Sequence, residues 1–321
     1  MVRNLETWGL RLAYPAVMAS ALGLHFLLLW ASIPLAVAAY VPVIFSIVAI
    51  NLLERYYPFH KPWCPDKSDI ATDLTFLVFL QMILPQLALM LVLFALAQSG
   101  VLSSETLSHW WPHDWPVLAQ FVLMALLIDF STYWVHRGLH GIPVLWRFHA
   151  VHHSVKKLYW LNVHHDHALE ALFLFGFGLM PFMVMGVNES VLAFFVVIFG
   201  SHAFFQHSNI NISYGFLNYL LSTSELHRWH HARDTQLSEH NFGNTLSIWD
   251  MLFGTWYFPH AQFHDIGLKN DNYPQGFFNQ MRTPFIKGLA DRELPFSTYA
   301  ELAQRLLHRV KRLRRAQQAE G

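Results

Sequence analysis

Charged side chains are scarce in this 321-residue chain. Asp, Glu, Lys and Arg together make 13% of it, where an average soluble domain carries about 25%. Lysine and arginine are missing altogether from 12–54, 68–136 and 158–227. Each stretch is long enough for one or two spans of about 20 apolar residues. That excludes an ordinary soluble domain and points to an integral membrane protein. Cysteine is nearly absent: with Cys64 alone, no disulfide can close within the chain and no cysteine-based zinc site can form. No H-E-x-x-H and no G-x-S-x-G occurs, which argues against a zincin-type protease and a serine lipase. G-x-G-x-x-G and H-P-G-G are also missing, so no dinucleotide or haem domain is visible, and no nucleic-acid module is present. No short apolar stretch with a small-residue cleavage site follows MVRNLETWGLRLAYP, so the first apolar segment reads as a retained membrane helix.

What is present is apolar and ordered. Apolar segments fall at about 12–31, 33–53, 70–97, 117–137, 168–186 and 190–207. The last two either both span or form a shallow hairpin. Lysine and arginine collect in 1–11, 54–69, 138–167 and 208–321, whereas the turns near 32 and 188 and the loop Ser99–Pro116 have none. By the positive-inside rule, both termini and the 138–167 connection face the cytoplasm, and Trp110, Trp111 and Trp115 suit the opposite interface. The run His308–Arg315, on a helix expected near 296–315, is basic enough to sit beside an anionic leaflet. The expected architecture is an all-α membrane protein of about four to six membrane helices with a cytoplasmic helical cap. Three segments are expected: N-terminal membrane helices over 1–115, a catalytic unit over 116–265, and a C-terminal tail over 266–321.

Histidine is abundant, with 21 residues. His136 and His140 are four apart, and on a helix they share a face. His149, His152 and His153 follow the spacing i, i+3, i+4, as do His227, His230 and His231, which predicts three imidazoles on one side in each case. Imidazole suits zinc, copper, iron and nickel. This many rings exceed what one tetrahedral zinc can use, so two metals are expected. No Glu-x-x-His pair lies in the cluster, unlike soluble di-iron bundles. His25, His60, His109, His113, His260, His264 and His308 read as ordinary interface or surface side chains. Asp129, seven residues before His136, is placed to accept the second N–H of a ligating imidazole. Asp250 and Glu225 are weaker candidates for the same role.

The stretches DFSTYWVHRGLH, LWRFHAVHHS and LHRWHHARD…HNFGNTLSIWDMLFGTWY resemble the fatty acid hydroxylase (sterol desaturase) superfamily of membrane-bound di-iron oxygenases. The resemblance covers roughly 120–260 and includes the order and spacing of the boxes. It implies that His136, His140, His149, His152, His153, His227, His230 and His231 hold two iron ions, with O2 as co-substrate. It adds His167 with Glu170, from HHDHALE, although Ala168 stands where the family commonly has proline and His165 where arginine is common. It also adds His207, from FFQHSN, and leaves His202 as a supporting residue. The implied activity is hydroxylation or desaturation of a membrane lipid, sterol or fatty acyl chain, with electrons from an external cytochrome b5, ferredoxin or reductase. Phenylalanines 173, 175, 177, 194, 195, 204 and 205 are candidates for a lipid slot or for plain helix packing. The rival readings are a zinc-dependent membrane lipid hydrolase and a metal transporter.

Overall fold

The computed structural model describes residues 10–99, 109–259, 261 and 263–290. Five helices are long and apolar enough to cross a membrane: α1 (Ala13–Trp30), α2 (Leu35–Tyr56), α3 (Lys67–Gln98), α4 (Val117–Gly141) and, further on, Glu189–Gln206. Among the described residues there is no β-strand, only isolated bridges. The helix expected near 296–315 and its basic run lie outside the described residues.

Local chemistry sets the boundaries. Pro34 precedes α2 and cannot continue the helix before it. Inside α2, Pro42 has no N–H, so the carbonyl of Ala38 loses its helical donor. The buried His25 of α1 supplies one: its Nδ1 donates to the Ala38 oxygen at 2.7 Å. An orphaned carbonyl in hydrocarbon costs several kcal/mol, which explains a buried histidine in an apolar helix. At the start of α3, the Asp66 side chain accepts from the amides of Ser68 and Asp69, and Asp69 returns a bond to the Asp66 amide. Lys157 reaches both carboxylates, at 3.2 and 2.5 Å.

After α4 comes a short helix, α5 (Pro143–His149). The apolar stretch at 168–186 is then two short helices, α6 (Ala168–Phe177) and α7 (Met180–Val184), with a kink at Gly178 between them. A Cβ at Gly178 would lie 2.5 Å from the Leu174 carbonyl and touch Thr132 of α4, so glycine permits both the kink and the close approach. The broken element nevertheless runs the length of α4, because Phe182 packs with Trp111, Met124 and Ile128 at the end remote from the histidines. The chain returns along α8 (Glu189–Gln206). Phenylalanines of the suggested slot are dispersed: Phe204 and Phe205 are buried in a core with Tyr14 and Ile50, while Phe173 and Phe177 are exposed.

Beyond 208 the chain forms a cap of short helices and loops, including α9 (Ser224–His230) and α10 (Ile248–Phe253). The C-terminal ends of α4 and α8, the N-terminal end of α6 and the cap all meet at one end of the bundle, where the histidines gather.

Candidate metal centre

Two groups of imidazoles occupy that end. The first holds His136, His140, His149, His153 and His230; the second holds His152, His207, His227 and His231. All are buried, and within each group the ligand atoms lie within 4.8 Å of one another. The two boxes divide reciprocally. His149 and His153 join the first group while His152 joins the second; His227 and His231 join the second while His230 joins the first. Successive residues turn by about 100° on a helix, so i and i+4 differ by about 40° and i+3 falls some 100° from i+4. The expectation of three rings serving one side is corrected accordingly: each box straddles the seam between two groups. The second box is not continuous helix either. α5 ends at His149, and His152 and His153 sit in a 3-10 turn.

The close approaches within the groups are through Nε2. In the first, His136 to His149, His140 to His153 and His149 to His153 are each 3.1 Å apart. In the second, His207 to His227 is 2.8 Å, His152 to His231 is 3.1 Å and His227 to His231 is 3.0 Å. The opposite nitrogens show which protonation states meet there. His136 Nδ1 is 2.8 Å from the Phe242 carbonyl, and His230 Nδ1 is 2.8 Å from the His240 carbonyl. A carbonyl only accepts, so Nδ1 carries the proton and a neutral ring presents a bare lone pair at Nε2. Glu170 acts in the same way on His149, accepting from its Nδ1 at 2.5 Å; Asp166 lies 2.9 Å from His152 Nδ1 and Glu239 3.5 Å from His140 Nδ1 as neighbouring charges, without hydrogen-bond geometry. His207 Nδ1 is 3.1 Å from the Asn162 side-chain oxygen. Burial, reinforced by neighbouring imidazoles, holds His149, His153, His227, His230 and His231 well below the usual histidine range. These rings are therefore neutral near pH 7, and their facing lone pairs repel unless a cation lies between them. The donor set fits a metal pair.

Other expected residues have different positions. His167 joins neither group: its Nδ1 accepts the Leu169 amide at the start of α6, and its Nε2 donates to the Met281 carbonyl. Asp129 touches no imidazole and instead accepts from the amides of Thr245 and Leu246 and the Trp249 indole. Asp250 braces the Phe242 and Gly243 amides and the Thr255 hydroxyl. Asp250 therefore acts on His136 only through the Phe242 backbone, and burial raises its carboxyl to about 6. Glu225 binds the Tyr214 amide and the Asn218 side chain. His202 ties Tyr14 to the Ser222 carbonyl. His165 is held by Asp73 and Gln280, and His164 by Gln81. Sequence reasoning missed Asp166, Glu239, Asn162 and the two carbonyls. Only Asp166 had a signal, standing between His165 and His167. A polar cavity of about 420 Å³ adjoins His153 on the cap side, with Trp146, Arg233 and Lys269 in its wall. Its lining is unsuited to an acyl chain.

The comparisons with known proteins agree with this geometry. The fatty acid hydroxylase family model matches residues 121–255. The ornithine lipid hydroxylase OlsE of Rhizobium tropici is 31% identical over 243 residues, covering 75% of this chain and 73% of that protein. The chain belongs to the fatty acid hydroxylase family. Two more relatives match over about half of this chain. Alkylglycerol monooxygenase of Xenopus tropicalis is 30% identical over 46% of this chain, which spans 31% of that protein. A very-long-chain aldehyde decarbonylase, GL1-11 of Oryza sativa subsp. indica, is 28% identical over 49% of this chain and 58% of its own length. No solved structure matches the chain significantly.

Proposed function

We propose that the chain is an oxidoreductase of the di-iron, O2-dependent kind, a hydroxylase or desaturase acting on a C–H bond of a membrane lipid, sterol or fatty acyl chain. The observation that carries this reading is the pair of abutting, buried groups of five and four imidazoles. Their relatives named lipid hydroxylase and monooxygenase support the oxidation of a lipid. Two irons held there would supply O2 activation and attack on an unactivated C–H bond. His136, His140, His149, His153 and His230 would hold one ion, and His152, His207, His227 and His231 the other.

The chain's own residues do the rest. The Phe242 and His240 carbonyls and the Glu170 carboxylate hold Nδ1 protons and aim the rings, and the Asp166 charge beside His152 raises that ring's basicity. Burial of the site behind α4, α8 and the cap keeps bulk water from a reactive oxidant. The site lies where apolar helices meet the cap. A group of five imidazoles exceeds the three protein ligands of a catalytic zinc, which disfavours a zinc hydrolase, and the gathering at one end of the bundle disfavours a transport site at the midplane. The charge distribution supports a cytoplasmic site, with electrons from a cytochrome b5, ferredoxin or reductase. The test is metal analysis of purified protein with O2 consumption measured against reductant and lipid. The expected result is two irons per chain and consumption requiring both additions; turnover of lipid without O2 overturns the proposal.

A further inference from the structure

Asp129 sits eight residues before Arg137, about 12 Å deeper along α4 at 1.5 Å per residue. An acid at that depth is costly unless its oxygens are bonded. Its partners all come from the cap: the Thr245 amide at 2.9 Å, the Leu246 amide at 3.1 Å and the Trp249 indole at 2.9 Å. The same stretch then climbs α4 toward the metal centre. Trp249 packs on Phe130 with ring centroids 5.0 Å apart, and Phe253 on Trp134 at 4.9 Å. A neighbouring stretch packs against the site-side ends of other spanning helices. The Ser222 carbonyl accepts from His202 of α8, and Tyr214 packs on Tyr14 of α1. The two stretches are laced together by Ser222 N to Thr245 O at 2.8 Å and Ser247 N to Leu220 O at 3.1 Å.

Irregular backbone is tolerated at membrane depth only where its polar groups are satisfied internally. The amides of Phe242 and Gly243 bond Asp250, those of Thr245 and Leu246 bond Asp129, and that of Ser247 bonds Leu220. No charged residue occurs over 208–224, and Asp250, which is buried, is the sole one over 241–258. The outward face is apolar: Phe216, Tyr219, Leu220, Ile248, Met251 and Leu252 are all exposed. It continues the exposed apolar stripe of Val122, Leu126, Leu127 and Phe130 on α4. In water such a patch would be an aggregation liability.

We propose that residues 214–222 and 242–256 form a re-entrant shelf immersed in the membrane leaflet on the site side, its six apolar side chains against lipid acyl chains. Acyl chains are the occupant because the shelf continues the lipid-facing side of a spanning helix at the same depth. The shelf also bears on the metal centre, since its Phe242 carbonyl holds His136. Lipid contact and imidazole placement thus share one backbone segment. The inference stands whichever oxidation the site performs.

Single-cysteine labelling in vesicles tests it. In a Cys64→Ser background, Leu252→Cys, Ile248→Cys and Phe216→Cys are labelled with the fluorophore NBD and reconstituted in phosphatidylcholine vesicles. The exposed Cys64 of the parent chain, labelled alike, serves as the aqueous control. The expected result is blue-shifted emission at the shelf positions, loss of intensity with doxyl-labelled phosphatidylcholine, and no loss with iodide on both sides of the bilayer. Iodide quenching equal to that at Cys64 would place the shelf in water. Insensitivity to both quenchers would place it under protein, such as a second copy of the chain; either result overturns the proposal. Retained metal content in each variant shows that it has folded.

Discussion

Asp166→Asn and Glu170→Gln should each weaken one metal ion and leave the other bound. Asp166 lies 2.9 Å from His152 Nδ1, in the second group, and Glu170 lies 2.5 Å from His149 Nδ1, in the first. Each substitution keeps side-chain volume and removes the charge that polarises one ligating ring. Loss of such a partner typically lowers metal affinity about 10- to 100-fold, equivalent to about 1.4 to 2.7 kcal/mol. The assay is metal per chain, by mass spectrometry, across a chelator titration. At a chelator concentration that leaves the parent with two ions, each single variant should keep one. The double variant should keep none, because the carboxylates serve separate groups. A double variant that still holds one ion would place both carboxylates at one centre and refute the reciprocal division of the boxes.

Other expectations concern stability and the residues outside the groups. His167→Ala should retain both ions in the same metal assay, since His167 bonds only the Leu169 amide and the Met281 carbonyl; loss of an ion would contradict that placement. The metal-free protein should lose stability as pH falls below about 6.5, the ordinary histidine value. The buried rings of His149, His153, His227, His230 and His231 resist protonation when folded, so the unfolded chain takes up more protons in that window. Each ring can contribute a slope of up to about 1.4 kcal/mol per pH unit; thermal unfolding of chelator-stripped protein in detergent, flat from pH 7 to 5, would speak against it. Asp129→Ala strands the Thr245 and Leu246 amides and the Trp249 indole, at roughly 1 to 3 kcal/mol for each buried donor left unpaired, and Asp129→Asn should lose less in the same unfolding measurement. His25→Leu should cost about 1 to 3 kcal/mol by orphaning the Ala38 carbonyl. In a Pro42→Ala background the cost should largely vanish, because residue 42 then supplies the helical donor. An equal loss in both backgrounds would break the link between His25 and Pro42.

Much of this protein was legible from local pattern. Lysine-free stretches marked the membrane crossings because the hydrocarbon core penalises charge wherever it falls in the chain. The boxes marked the candidate metal centre because helical spacing aligns His136 with His140, and His227 with His231. Composition could not tell that 168–186 is broken into two helices, where Gly178 packs against Thr132 of another helix. Nor could it show that part of the cap descends beside α4, because the partners of Asp129 lie more than a hundred residues away.

The finer anatomy of the centre belongs to the tertiary structure for the same reason. Spacing says which rings share a side of one helix, but not which of two centres each one serves. That is decided where separate helices cross, and there His152 parts from His149 and His153, and His230 from His227 and His231. The groups that orient the rings are largely invisible to motif reading: two are backbone carbonyls, at Phe242 and His240, which every residue possesses. His167 shows the converse. Its resemblance to a family position was real in sequence, but its ring is engaged at the start of α6, where the local need for a helix cap fixes its direction.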